Sequence, residues 1–338
     1  MTRRVNFGLW YDFRNPAQWA IPFETLYGQV LDQIVEAERI GYDSVWLTEH
    51  HFCDDGYTPS PLVIAGAIGA RTKSMRIGTN LIILPLHNPV RIAEDSATLS
   101  LLTGGRFDLG VGIGYKEREF IEFGRELKHR PSLLEEAFTI IRRAWAGEPI
   151  SLDGKRFKYG DIRVLPRPEH APKLLLGGMA SLAIERAARI SDGFLSTGGI
   201  GQDTYVYALA KYGKKPDEGA IYAGHWAVVS DDPDREAARI GPHVLYQGNE
   251  YIKWGAFGAP GTVPRFPDAA TAISQGLYSL WTADQAVENL TAMLTSFPQI
   301  KDVHFWAQFP GEAVASGQRR VEYMAKHVLP RVRAVIER

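Results

Sequence analysis

The feature that most constrains this chain is a repeated alternation of short apolar runs with longer stretches of helical periodicity. Extended runs are read at 5–11, 44–48, 76–84, 107–111, 173–177, 194–197, 220–229 and 302–307. Helices are read at 23–40, 61–72, 89–102, 133–146, 181–190, 202–212, from 233 onward, at 283–296 and at 313–337. Punctuation agrees with this reading: Gly41 stops the first helix, Pro61 opens the second, and Thr103-Gly104-Gly105 turns the chain into the fourth strand. Parallel strands need long crossovers, usually helical, so alternation along a whole chain implies a parallel sheet. Eight such units predict an α/β fold, a single (β/α)8 TIM barrel over 1–338. A doubly wound open sheet is the alternative, because periodicity does not count closure.

The rhythm breaks in three places. The segment 116–130 is charged and has no strand pattern. An added extended stretch at 157–165 marks an insertion near 147–170. The stretch 246–280 is rich in Gly, Pro and aromatics, with little periodicity; it is read as an irregular insertion and as a mobile lid.

Composition excludes several classes of function. The 38 basic and 39 acidic residues balance, which argues against a broad nucleic-acid footprint. No long apolar run predicts a membrane span, and no apolar signal core follows Met1. Cys53 is the single cysteine, so no intrachain disulfide can form, and a cytoplasmic location is expected.

Two strand ends carry chemistry. Ser44-Val45-Trp46-Leu47-Thr48 runs into Glu49-His50-His51-Phe52, and burying Glu and two His is costly unless they are paired or used. Arg106-Phe107-Asp108-Leu109 runs into Gly110-Val111-Gly112-Ile113-Gly114-Tyr115, where glycine lets a flat ring or a phosphate approach the backbone. Both fall at C-terminal strand ends, where barrel active sites lie. A third segment, Gly177-Gly178-Met179-Ala180-Ser181, opens a helix whose backbone N–H groups suit an anion; Ser181 is read as N-cap or phosphate ligand. Gly112 and Gly114 lack the third glycine and the downstream acid of a dinucleotide fingerprint. Trp10, Tyr11 and Arg14 follow the first strand, and Trp254, Phe257 and Phe266 lie in the long insertion; they are read as pocket-lining or as loop packing. Cys53 is read as a small buried residue, and no metal site is expected.

In order and spacing these segments resemble the bacterial luciferase-like flavin monooxygenases over most of the chain. The marks are Trp46 to Phe52, Gly78-Thr79-Asn80-Leu81-Ile82-Ile83-Leu84-Pro85 with His87-Asn88-Pro89-Val90-Arg91, Ala93-Glu94-Asp95, and Gly104-Gly105-Arg106-Phe107 leading to Tyr115. The resemblance implies a barrel that uses reduced FMN, delivered by a separate reductase, and O2 to oxygenate a small, apolar organic substrate. It implies His50 as the catalytic group at the reactive edge of the flavin, with Glu49 beside it. It implies a bulge with a non-prolyl cis peptide at Asn80-Leu81 beneath the ring. Further cofactor contacts would come from Gly112, Ile113, Gly114 and Tyr115, and from Gly178, Met179, Ala180, Ser181 and Thr197. Substrate contacts would come from Trp10, Tyr11, His51 and Trp254. It also implies a homodimer, and helix 61–72, small or apolar nearly all round, agrees with burial against a second copy.

The chain departs from bacterial luciferase where Gly112 and Ile113 replace a reactive cysteine and a phosphate-holding arginine. That weakens the case for light emission and requires the phosphate to be held otherwise. Other readings stay open. One is hydride transfer with the deazaflavin F420, whose enzymes more often carry Asp-His or Ser-Asp-His where this chain has Glu49-His50-His51, and Gly-Glu where it has Gly114-Tyr115. Another is a non-catalytic flavin-binding protein, and a third is a hydrolase or isomerase that binds no flavin.

Overall fold

The computed structural model describes residues 3–337. Eight parallel strands form the central sheet: β1 (Asn6–Tyr11), β2 (Ser44–Leu47), β3 (Arg76–Thr79), β4 (Phe107–Gly112), β5 (Leu174–Gly177), β6 (Gly193–Thr197), β7 (Ile221–His225) and β8 (Ile300–Trp306). Each pairs with the next. β8 pairs back onto β1, from Asn6 opposite Asp302 to Trp10 opposite Trp306. The sheet is therefore a closed barrel with no free edge, which removes the open-sheet alternative.

The outer layer includes α1 (Phe23–Arg39), α2 (Pro61–Arg71), α3 (Pro89–Thr103), α4 (Glu117–Glu122), α5 (Arg130–Ala146), α6 (Ser181–Ile190) and α7 (Gln202–Lys211). It continues with α8 (Pro233–Trp254), α9 (Ala269–Ser274), α10 (Ala283–Ser296), α11 (Val314–His327) and α12 (Leu329–Ile336). Local chemistry sets several ends. The Asn88 side chain accepts the N–H groups of Val90 and Arg91 to start α3, and Gly104 ends it in the left-handed region. Thr282 and Gln285 form a reciprocal capping box on α10.

Four expectations need correction. The third strand is not continuous over 76–84. It stops at Thr79, passes the cis peptide Asn80-Leu81, and resumes at Ile82–Ile83 against Val111 and Gly112. The run 220–229 divides after His225, because Ala227–Val229 leaves the barrel and pairs with Ser279–Trp281. The stretch 246–280 is not irregular from its start. α8 continues through Pro242 as far as Trp254, burying Ile240, Val244 and Tyr251 on one face, and the chain turns only at Gly255. Gly241, Pro242 and Gly248 hide that periodicity in the sequence. The last helix is two, α11 and α12, divided at Val328 just before Pro330. The insertion near 147–170 contains an antiparallel hairpin, Ile150–Asp153 with Lys158–Ile162. The charged segment after β4 contains α4.

The break in β3 sets the geometry of the barrel mouth. Where the ladder is interrupted, the Thr79 hydroxyl both accepts the Gly110 N–H at 2.9 Å and donates to the Gly110 carbonyl at 2.8 Å. This brings the Thr79 carbonyl against Gly110, where a Cβ would lie 1.9 Å from the oxygen. Gly110→Ala should therefore force the two strands apart and destabilise the fold by roughly 2–3 kcal/mol or more, as measured by denaturant unfolding.

Candidate functional site

A cavity of about 370 Å³ opens at the C-terminal ends of the strands. Trp10, Asn80 and Leu81 form its base, and the ends of β4, β5 and β6 contribute Gly112 to Tyr115, Gly177 to Ala180, and Thr197. Tyr57, Trp226, Tyr251 and Phe257 add an aromatic part to the lining. The Leu81 side chain sits between the strand ends: Cβ atoms at Gly112 and Gly177 would lie 2.7 and 2.8 Å from its methyl carbon. Glycine at these two positions is what lets Leu81 project there.

His50 lies on the cavity wall with both ring nitrogens engaged. Nδ1 is 2.8 Å from Glu119 Oε1, and Nε2 is 2.8 Å from the Tyr115 hydroxyl. The same Glu119 oxygen accepts the His51 backbone N–H at 2.8 Å. Glu119 is fully buried on the first turn of α4, and Lys116 Nζ lies 3.8 Å from its carboxylate. Burial pushes the Tyr115 phenol well above its ordinary value, so it remains a proton donor. The edges of His50 are packed by Tyr57 and Trp254, with ring centroids at 4.8 and 5.2 Å.

Glu49 turns the other way. Its Oε2 accepts the Ile83 N–H, and its Oε1 lies 3.2 Å from His51 Nε2 and 2.8 Å from His87 Nε2. Burial alone would raise this carboxyl, but the two imidazoles and their hydrogen bonds hold it well below the usual carboxylate range. Burial likewise disfavours charge on His87, and the Glu49 carboxylate outweighs it, raising the imidazole. The donor atoms of Glu49, His51 and His87 lie within 4.8 Å of one another, a spacing a divalent cation could bridge. Their hydrogen bonds already account for the arrangement.

Behind His50 a buried ion pair ties the wall together. Arg14 Nε donates to Asp55 Oδ2 at 2.6 Å, and the Tyr246 hydroxyl donates to the same oxygen at 2.9 Å. The guanidinium carbon lies 5.0–5.7 Å from the ring centroids of Tyr57, Tyr246, Tyr251 and Trp254. Its Nη atoms have no hydrogen-bond partner and meet aromatic faces instead. Burial pushes the nearby Asp12 carboxyl up to about 7.

Most of the expected site residues meet in this one cavity: Glu49, His50, Asn80, Leu81, Gly112, Ile113, Gly114, Tyr115, Gly178, Met179, Ala180, Thr197 and Trp10. Four do not line it. Tyr11 belongs to the core between barrel and helices, because strand alternation turns it away from Trp10. His51 faces Glu49 and Phe123. Trp254 packs behind His50, with Lys116 Nζ 4.9 Å from its ring centroid. Ser181 is the first residue of α6, exposed and making no capping bond, while Ala180 holds the N-cap position. Arg14, also read as pocket-lining, is buried in its aromatic box. Cys53 is half-buried, and burial pushes its thiol up to about 11, as expected of an unreactive cysteine.

Sequence reasoning missed Glu119, His87 and Arg130. Glu119 stands among Glu117 and Glu122 on a short charged helix, and only the direction of α4 decides which carboxylate turns inward. Its signal was position, just beyond a glycine-rich strand end. Arg130 lines the cavity from the start of α5, and its Nη1 donates to the Gly114 carbonyl at 3.1 Å.

Residues 6–333 match the model of the luciferase-like monooxygenase family. The chain belongs to that family. Among curated relatives, it is 35% identical over 225 residues to an F420-dependent glucose-6-phosphate dehydrogenase of Kribbella flavida, covering 62% of this chain and 66% of that one. It is 35% identical over 213 residues to the protein of the same name from Microbacterium testaceum, covering 61% of each. The chain spans about three-fifths of the length of the curated relatives it matches. Among solved structures, the monooxygenase RslO1 from Streptomyces bottropensis aligns with TM-score 0.78 at 22% identity, covering 96% of this chain and 99% of that one. The oxygenating constituent of 3,6-diketocamphane monooxygenase from Pseudomonas putida, in complex with FMN, aligns with TM-score 0.74 at 18% identity, covering 98% and 99%. An F420-dependent secondary alcohol dehydrogenase aligns with TM-score 0.75 at 18% identity, covering 98% and 99%. These structural likenesses show the shared barrel, and the family relatives are oxidoreductases.

The Glu49–His87 pair has a definite pH signature. A depressed Glu49 contributes stability that is present above its unfolded value of 4.5 and lost as pH falls through the folded one. A raised His87 contributes stability that is fully present below 6.5 and lost as pH rises through its folded value. The destabilisation caused by His87→Gln should therefore be greatest near about pH 5.5 and shrink as pH rises above 6.5 through the raised folded value, as read from denaturant midpoints.

Proposed function

We propose that this protein is the oxygenating component of a two-component flavin monooxygenase. In this reading it takes reduced FMN from a separate reductase and uses O2 to oxygenate a small, apolar organic substrate in the cytoplasm. No helix among the described residues is long and apolar enough to cross a membrane. The observation that carries the reading is one cavity joining an anion-binding end to a fixed imidazole. At one end, α6 begins with no side-chain cap, so the N–H groups of its first turn can bind a phosphate beside the Gly178–Ala180 loop. Arg130, lining the same cavity, supplies the positive charge that Ile113 does not. At the other end, His50 faces the cavity among aromatic side chains. These residues fit a phosphate-bearing planar ring.

Reduced FMN, when bound, supplies the electrons that activate O2. The chain supplies position, protons and dryness. The cis Asn80-Leu81 segment and Trp10 would support the ring. The Glu119 carboxylate accepts Nδ1–H of His50, which leaves Nε2 as the atom that takes up or returns a proton, relayed by the Tyr115 hydroxyl. Tyr57, Trp226, Tyr251 and Phe257 exclude water from the reacting centre. In this role, Tyr251, Ala256 and Phe257 are already cavity wall, and the irregular stretch that follows is the segment left to act as a lid.

A second reading, an F420-dependent dehydrogenase, is favoured by the names of the curated relatives. Among the described residues lining the cavity, Arg130 is the sole lysine or arginine. A phosphorylated cofactor and a sugar phosphate bound together would need more countercharge, which disfavours glucose 6-phosphate here. Anaerobic titration with reduced FMN and with F420 separates the readings: binding of F420 without reduced FMN would overturn the first.

His50→Ala should lower turnover about 10²–10⁴-fold while changing cofactor affinity far less, as measured by steady-state kinetics and binding titration. We also propose a homodimer. The adjacent helices α2 and α3 leave Val63, Leu101 and Leu102 75%, 46% and 69% exposed, apolar side chains that a second copy would cover. Light scattering at micromolar concentration should give twice the chain mass of 37.6 kDa.

A further inference from the structure

Beneath the cavity, inside the barrel, lies a polar chain that the mechanism above does not use. Asp302 on β8 is buried, and its Oδ2 accepts the Ser44 hydroxyl at 2.6 Å. Its Oδ1 accepts the Trp46 indole N–H at 3.0 Å and faces His304 Nδ1, also at 3.0 Å. A carboxylate is an acceptor, so the His304 proton sits on Nδ1. Burial also pushes the His304 imidazole below its ordinary value, which keeps the ring neutral. Nε2 is then a lone pair, and its partner, the Asn80 side chain at 2.9 Å, must present its NH2 end. The Trp10 indole holds the same residue by its backbone carbonyl at 3.1 Å, and the Asn80 N–H is bound to the Leu47 carbonyl. The amide cannot turn over without losing the bond to His304. Its Oδ1 accepts no hydrogen bond from the described residues, and Asn80 lines the cavity base.

We propose that Asn80 is a specificity-determining residue whose amide oxygen, held toward the cavity by the Asp302–His304 pair, accepts an N–H of the bound ring and so favours the reduced over the oxidised cofactor. Two-electron reduction of a flavin, with uptake of protons, places N–H groups on ring nitrogens that are acceptors in the oxidised form. A fixed acceptor rewards the first state and is unmatched in the second. His304 is a positioning residue, since it acts through Asn80. The inference rests on the flavin reading given above.

Two measurements test it. In the protein without cofactor, long-range ¹H–¹⁵N correlation should show His304 as the neutral Nδ1–H tautomer. The Nε2–H tautomer or an imidazolium would turn the Asn80 oxygen inward and overturn the assignment. Anaerobic titrations with reduced and oxidised FMN should then show wild type favouring the reduced form by about tenfold more than Asn80→Ala does. Asn80→Ser serves if the alanine variant does not fold, with the same loss expected. An unchanged ratio of the two dissociation constants in a folded variant would overturn this inference alone. Failure of wild type to bind FMN in either state would overturn the flavin reading, and this inference with it.

Discussion

The molecule is organised around a carboxylate buried inside its barrel. Asp302 is 1% exposed, and an ionised carboxylate so placed is sustained only by donors that replace water. Three residues supply them: Ser44 and Trp46 from β2 and His304 from β8 itself. Their bonds fix the order of everything above. They hold the Trp46 indole across the barrel, set the tautomer of His304, and through His304 orient Asn80 at the break in β3. The cavity base is thus tied to β8 by hydrogen bonds between side chains far apart in the sequence.

The same rule of paired burial operates at the barrel mouth. Glu49 and Glu119 approach the histidine run from opposite sides, one taking His51 and His87, the other the His50 ring and the His51 backbone. Adjacent histidines thereby become different groups. His50 is aimed at the cavity, whereas His51 is locked into the wall. The Arg14–Asp55 pair extends this wall to α8, with the guanidinium enclosed by four aromatic rings. Catalytic-end residues from β1, β2, β4 and the long helix before the irregular loop are in this way one connected unit.

Parts of this were legible in the sequence because they are local. The strand and helix periods of 107–112, 181–190 and 283–296 are carried by neighbouring side chains. Glu49-His50-His51 announced itself because three ionisable groups at the end of an apolar strand need partners. Other parts were hidden by conflicting local signals. The Gly-, Pro- and aromatic-rich composition of 246–280 read as irregular from its start, yet α8 runs on to Trp254 because Ile240, Val244 and Tyr251 stay buried along it. Tyr11 and Trp10 are neighbours of similar chemistry, and only the pleat of β1, in register with β2 and β8, sends one into the core and the other to the cavity.

The sequence by itself determined the parallel strand–helix alternation and the charged strand end that carries His50, since both are written in neighbouring residues, whereas closure of the sheet into a barrel waited for β8 to pair with β1. The tertiary structure alone decided which carboxylate holds that imidazole, which arginine meets the cavity, and which way the Asn80 amide faces. Glu119 lies 69 positions from His50, and His304 lies 224 from Asn80. Separations of that size carry no periodic trace in a single chain, because the partner is chosen by how the barrel closes and not by any neighbour along the backbone.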